Sequence, residues 1–458
     1  MGIHSAVRLF TNICTLPFYT FLFIFSSQRP CRQWTYKQAI SVHIIRLVLS
    51  ALSLRGKSPP AKLEPGAEGD RFVLIPPAVS STYKEITRID REIQPAQTGA
   101  TWYPHRPQKA TELEQVVLHF HGGAYVIGDG REQDAGYLAR TLLKAGKGRI
   151  SHVLSSQYRL SAGDRQGRFP AAMQDALTCY AHLVRTQGVA PERIIVSGDS
   201  AGGNLSLALL RYLENYGESL GLKPPGNVWL WSPWLDTVAS SKKPSDSAPH
   251  FQTDYVVEAF GHWGASHLMP DPSTGVTIHN PYIQGFGNPF ATTAKVFIHT
   301  GGLEFMANPI LTFVQQMRGV KGNVVEDHLS EYGPHDIILL GDKLGFEREA
   351  FEAAKAAVQS LPIQTLTAPP EPVWGPSDTI KAAPTIHKTC SPYEVTITQR
   401  LRPPKYRWKW PNIILPKQKQ PIDIPERIQR VDSVGAMMPR PRYTVFPVHR
   451  IGQYLFDQ

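Results

Sequence analysis

The stretch Arg193–Ser206, RIIVSGDSAGGNLS, constrains this chain more than any other. A β-branched run enters Gly-Asp-Ser-Ala-Gly without a spacer, and an amphipathic helical pattern leaves it. Reversing a strand into a helix over so few residues requires backbone free of Cβ at its closest approaches, which Gly198 and Gly202 supply. The apex residue, Ser200, is thrust forward. Beneath it the helix N-terminus offers unpaired N–H groups and the positive end of its dipole. Strand, tight turn and helix in this order are the context of a nucleophile elbow. A purely structural glycine turn is the competing reading, and the strand–turn–helix setting counts against it.

The rest of the central chain has a matching rhythm. Strand-like runs occur at 113–120, 151–157, 193–197, 228–231, 295–300 and 323–329, with helical stretches such as 171–187, 203–216 and 346–360 between them. Alternation of this kind predicts an α/β fold with a mostly parallel sheet flanked by helices. The stretch Asp236–Asn288 breaks the rhythm and is rich in Pro, Gly, His and aromatics. It reads as an insertion over the strand ends. With 458 residues and 42% hydrophobic content the chain can bury a large core.

A second motif supports a hydrolytic site. Val116–Gly128, VVLHFHGGAYVIG, is a strand running into His121-Gly122-Gly123-Ala124. Ester hydrolysis creates an oxyanion that needs preorganised N–H donors. Gly122 and Gly123 are the natural donors, because no Cβ blocks the approach of their backbone, and the N–H of Ala201 is the third. His121 reads as a loop-fixing residue, not as a catalytic base.

Together HGGAY and GDSAGG resemble the hormone-sensitive-lipase family of α/β-hydrolases. Tyr158-Arg159-Leu160, Phe169-Pro170-Ala171-Ala172, Asp175 and Ser232-Pro233-Trp234-Leu235-Asp236 extend the resemblance, which covers about residues 34–361. It implies an α/β-hydrolase fold and a catalytic triad in the chain order Ser, acid, His. His335, in SEYGPHDIILL after the last strand, then falls at the general base, and Gly333-Pro334 form a loop able to return it over Ser200. The acid of the family follows the penultimate strand. By position it is Glu304 here, with Asp336 and Asp327 the weaker alternatives. Asp175 and Asp199 read as structural. The family often carries Ser/Thr and His shortly after HGG, where this chain has Glu132 and Asp134. That departure bears on how the loop is anchored.

The expected function is a serine carboxylic ester hydrolase that cleaves a short acyl ester, such as an acetyl ester, of a hydrophobic alcohol. It would need no cofactor and no metal, since no Cys/His cluster has zinc spacing. Transacylation by the same triad, and a non-catalytic small-molecule receptor on the same fold, are the alternatives. Residues 1–30 read as a membrane anchor or signal segment, through the uncharged run Leu9–Phe25. Residues 34–54 read as a helix lying on a membrane, or capping the site as part of domain 31–361. By resemblance the location would be the endoplasmic-reticulum membrane, single-pass, with secretion the alternative. Residues 362–458 read as a Pro-rich, largely disordered tail. From residue 365 onward, 14 Lys/Arg face 7 Asp/Glu, so most of the net charge of +10 sits there. The charge is therefore local, and no nucleic-acid partner is expected. The four cysteines, Cys14, Cys31, Cys179 and Cys390, are too dispersed for a disulfide framework.

Overall fold

The computed structural model describes residues 14–56, 58, 62–161, 166–241, 250 and 252–362. The expected tail, and the start of the expected anchor, lie outside the described residues.

In chain order, α1 (Leu16–Leu22) and α2 (Tyr36–Arg55) precede the sheet. Then come β1 (Phe72–Ile75), β2 (Thr98–Tyr103), β3 (Val116–Phe120), α3 (Glu132–Gly146), β4 (His152–Gln157), α4 (Ala171–Ala181), β5 (Ile194–Asp199) and α5 (Ala201–Leu220). The second half contains β6 (Asn227–Trp231), α6 (Thr237–Ser241), α7 (Glu258–Leu268), β7 (Lys295–Gly301), α8 (Ala307–Arg318), β8 (Val325–Ser330), α9 (Ile337–Leu344) and α10 (Glu347–Gln359). The eight strands form one sheet in the order β1-β2-β4-β3-β5-β6-β7-β8. β1 pairs with β2, and β2 with β4, antiparallel; all other neighbours are parallel. This is the mostly parallel α/β sheet that the alternation predicts, in the α/β-hydrolase order that the resemblance implies.

All six expected strands are present. The two antiparallel strands, β1 at the sheet edge and β2 beside it, were not legible in the sequence. Every residue of β2, TGATWY, is buried, yet it has no apolar run. Of its threonines, Thr98 is satisfied inside the sheet, its Oγ1 donating to Gln157 O (3.0 Å). Gly99 is required because a Cβ there would lie 2.6 Å from the Phe72 ring.

β5 is buried throughout because helices cover both sheet faces. Behind it α5 buries Leu205, Leu209, Leu210 and Leu213 and ends on left-handed Gly221. In α2, Thr35 and Gln38 form a reciprocal capping box, and left-handed Gly56 ends the helix. Trp34, Ala39, Val42, Leu47 and Leu49 are buried against the domain, whereas Ile44 and Val48 are exposed. The indole N–H of Trp34 donates to Tyr332 O (2.7 Å), and Gln38 donates to Gly345 O (2.9 Å). α2 is thus packed into the fold. The described part of the apolar run 9–25 is the seven-residue α1 and the turn after it. Phe23 is buried, while Phe18, Phe21, Ile24 and Phe25 point outward. Arg29 ties this turn down by donating to Phe23 O and Trp34 O.

Candidate active site

The parallel strands deliver their C-terminal ends to one edge of the sheet, and every expected site residue sits on a loop there. Ser200 follows β5 directly and caps α5 at φ 49°, ψ −115°, a conformation L-residues rarely adopt. Neighbouring loops hold it there. Ser200 N–H donates to Trp231 O (2.9 Å), and Ser200 O accepts from Trp234 N–H (2.8 Å). A Cβ on Gly202 would stand 1.9 Å from Phe120 O, so only glycine lets the start of α5 pass under β3.

After β3 the chain turns through Gly122 and Gly123, the latter at φ 106°. A Cβ on Gly122 would lie 3.1 Å from the Ser200 Cβ, which shows how closely the two loops approach. The N–H groups of Gly122, Gly123 and Ala201 donate to no main-chain carbonyl among the described residues. They have the character of oxyanion donors. His121 braces this loop: its Nδ1–H donates to Gly122 O (2.7 Å), and its ring stacks on Tyr158 at 4.3 Å. The Tyr158 hydroxyl in turn donates to His121 O (2.7 Å). Glu132 and Asp134 answer the anchoring question. Asp134 accepts from Asp129 N–H (3.1 Å), and Glu132 pairs with Arg71 (3.0 Å) and Arg140.

After β7, Glu304 is fully buried. One carboxylate oxygen accepts from Gly301 N–H (2.7 Å), and the other lies 2.7 Å from His335 Nδ1. The ring N–H of His335 therefore points at a carboxylate, which fixes the tautomer and leaves Nε2 as the basic nitrogen. Burial disfavours the imidazolium, but the Glu304 hydrogen bond and the charges of Glu304, Asp254 and Asp199 outweigh it and raise the His335 pKa. Burial also raises the Glu304 pKa, against the opposing pull of His335.

The other carboxylates have different work. Asp327 pairs with Arg318 on the far side of β8. Asp175 binds Arg159 (2.8 Å). Asp199 lies 3.0 Å from His119 Nε2 and beside Asp336. Burial and the Asp199 charge push the Asp336 pKa well up. The Asp199 carboxyl is held down, because the His119 hydrogen bond outweighs its burial. Of the two, Asp336 is the carboxyl whose ionisation is the more strongly opposed.

Sequence reasoning missed Asp254. This fully buried residue of the insertion accepts from the N–H of Tyr255 (2.7 Å), Phe305 (2.7 Å) and His335 (3.1 Å). It thereby joins the acid loop to the histidine loop. Its own carbonyl accepts from Arg46 of α2 (2.8 Å). No local motif marks it, since its partners are main-chain groups from distant segments.

Ser200, Gly122, Gly123 and His335 line one cavity of about 890 Å³, with Glu304 behind His335. α2 contributes Ile45, Val48, Leu49 and Leu52 to its walls, and the insertion contributes Tyr255, Val257 and Phe260. The volume suits a ligand the size of a drug molecule.

Parts of the chain are similar to known proteins. Residues 117–339 match a family described by the α/β-hydrolase fold. The chain is 34% identical over 122 residues to an acetyl-hydrolase of Streptomyces hygroscopicus, covering 27% of this chain and 36% of that protein. It is 30% identical over 199 residues to the esterase LipI of Mycobacterium tuberculosis, covering 42% and 55%. It is 30% identical over 115 residues to hormone-sensitive lipase of Homo sapiens, covering 24% and 10%. The chain thus spans about half or less of the length of these relatives. A hyperthermophilic esterase structure from Pyrobaculum calidifontis superposes with a TM-score of 0.48 at 19% identity, covering 70% of this chain and 92% of that one. Residues 117–339 are thus similar to the α/β-hydrolase family, and the relatives this chain resembles include hormone-sensitive lipase and an acetyl-hydrolase.

Proposed function

We propose that this protein is a serine carboxylic ester hydrolase that removes a short acyl group, acetyl first among them, from a hydrophobic alcohol such as a sterol or secondary metabolite. The observation that carries the reading is the Glu304–His335 pair in the same cavity as the strained Ser200, beside the glycine loop. In the proposed reaction His335 Nε2 takes the proton of Ser200 as its oxygen attacks the ester carbonyl. The N–H groups of Gly122, Gly123 and Ala201 stabilise the oxyanion. The C–O bond to the alcohol then breaks, the alcohol leaves with the proton from His335, and water releases the acyl-enzyme in a second, symmetrical step. The short acyl group is suggested by the relative named an acetyl-hydrolase. The hydrophobic alcohol is suggested by the apolar walls of the cavity.

The test is hydrolysis of p-nitrophenyl esters of increasing acyl length by the full chain in mild detergent, beside Ser200→Ala. We expect short esters to be cleaved, fluorophosphonate to label the wild type, and Ser200→Ala to lose roughly 10⁵-fold or more in kcat/KM. A wild type that neither hydrolyses any ester nor takes the label overturns the reading and favours a receptor.

We infer further that the α1–α2 face rests on a membrane. α2 is the one helix among the described residues that is long and apolar enough to cross a bilayer. Its buried face and its share of the cavity wall favour lying on the surface over spanning it. Outward-pointing Phe18, Phe21, Ile24 and Phe25 extend the same apolar face. Flotation with phosphatidylcholine vesicles tests this, since a protein that stays at the bottom of the gradient excludes it. Residence in the endoplasmic reticulum rests on the family resemblance alone.

A further inference from the structure

A second cluster of chemically active side chains lies at the opposite edge of the sheet. His105 follows β2, Glu112 ends the short turn before β3, and His152 begins β4. Ligand-capable atoms of all three lie within 4.8 Å of one another. The strand register pairs His152 and Ile194 with the same residue, Val116, so His152 lies level with the start of β5. Ser200 follows the other end of β5, about 20 Å away at roughly 3.3 Å per residue. The cluster is therefore separate from the proposed active site.

We propose that His105, Glu112 and His152 form a zinc-binding site. The argument starts from His152. It is 4% exposed, and neither ring nitrogen has a hydrogen-bond partner among the described residues. The main chain of Glu112 lies beside the ring. A buried imidazole with two unmet nitrogens carries a desolvation penalty, which a metal bond on one of them relieves. Trp102 holds the ring edge-on at 6.0 Å and aims it toward the His105 ring, 5.1 Å away.

The other two donors are prepared for the same ion. His105 Nδ1–H donates to Arg106 O (3.3 Å), which leaves Nε2 unprotonated for coordination. One Glu112 oxygen accepts from Gln108 N–H (3.2 Å), and the other is left for a cation. Two imidazoles and one carboxylate suit a borderline ion such as Zn²⁺, with a fourth position for water. Calcium and magnesium prefer all-oxygen shells. Small rotations of exposed His105 and half-exposed Glu112 close the remaining distance to tetrahedral spacing. The bound ion would clip the β2–β3 connection to the start of β4. Sequence spacing did not reveal this set, because its members come from three separate segments.

The test uses the full chain, stripped with chelator and titrated with zinc chloride alone by calorimetry, with cobalt chloride as an optical probe. We expect one saturating site, a cobalt spectrum without a thiolate charge-transfer band, and a melting temperature raised by a few degrees at saturation. His105→Ala and Glu112→Gln, both at accessible positions, should each weaken binding at least tenfold while leaving the metal-free melting temperature unchanged. No saturable one-to-one binding overturns the proposal. So does undiminished binding in His105→Ala, which would place the ion among other histidines of the chain.

Discussion

The floor and the lid of the cavity are built on different principles. The floor is a set of loops at the ends of β3, β5, β7 and β8, held by short polar contacts. Ser200 is fixed between Trp231 and Trp234, His335 sits on Glu304, and the glycine loop is braced by His121. The lid consists of α2 and the described residues between 236 and 288, and it meets the cavity chiefly with aliphatic and aromatic side chains. Polar geometry sets where charge can develop, and apolar shape sets what can enter. Changes in the floor should therefore act on kcat, and changes in the lid on KM. Asp254 belongs to the lid in sequence but to the floor in its contacts, which makes it the critical test of the division.

The largest effect expected after loss of Ser200 itself comes from the floor. Glu304→Gln keeps the size of the side chain but replaces an acceptor-only carboxylate with an amide, which tolerates the wrong His335 tautomer. A fall in kcat of about 10⁴-fold is expected, with KM little changed. Steady-state kinetics on p-nitrophenyl acetate measure it. A loss below tenfold would remove Glu304 from the proposed triad.

The floor was also the part legible in the sequence, for a physical reason. Nucleophile and oxyanion motifs depend on backbone turns, and turns use glycine at fixed local spacing, as in GDSAGG and HGGA. The structure places Ser200, Gly122, Gly123 and His335 around one cavity, with Glu304 against His335. Elements whose stability comes from distant partners left no local signal. β2 reads as no strand because its residues fit through distant partners, Thr98 donating to Gln157 of β4 and Gly99 packing against the Phe72 ring. Asp254 reads as an ordinary acid because its partners are main-chain N–H groups some fifty and eighty residues away. The helical character of residues 34–54 was visible, but not which face of it would line a cavity.

Asp254→Asn tests the link between lid and floor. The substitution keeps the shape but turns one acceptor into a donor facing main-chain N–H groups, so the loops of Glu304 and His335 loosen. A drop in kcat of roughly 10- to 100-fold is expected. Its pH signature separates it from simple loosening. The negative charge of Asp254 helps raise the His335 pKa. Removing it lowers that pKa, so the neutral, active imidazole persists to lower pH. The acid limb of kcat/KM should therefore shift toward lower pH than in the wild type. An unshifted limb with reduced kcat would leave Asp254 a purely structural brace.

A smaller effect is expected in the lid proper. Val48 lies at the cavity mouth and is half exposed, so Val48→Asp should fold normally. A carboxylate there penalises the entry of apolar groups. KM for long-chain or bulky esters should rise by about tenfold, while kcat/KM for p-nitrophenyl acetate changes little. An equal effect on all esters would mean that α2 shapes the floor as well.

The smallest effect is expected at Asp336, although it adjoins His335 and lines the cavity. Burial and the Asp199 charge both oppose its ionisation. Asn presents an N–H donor in nearly the same volume and tolerates the left-handed φ of 48° at this position. Asp336→Asn should keep kcat within about threefold of the wild type, with an unchanged acid limb. Asp336→Ala removes the donor and leaves the Asp199 carboxylate leaning on His119 alone, so it should cost more in both stability and rate. If Asp336→Asn instead shifts the acid limb as Asp254→Asn does, Asp336 is ionised in the working protein. The charge that raises the His335 pKa would then come from Asp336 as well as Asp254.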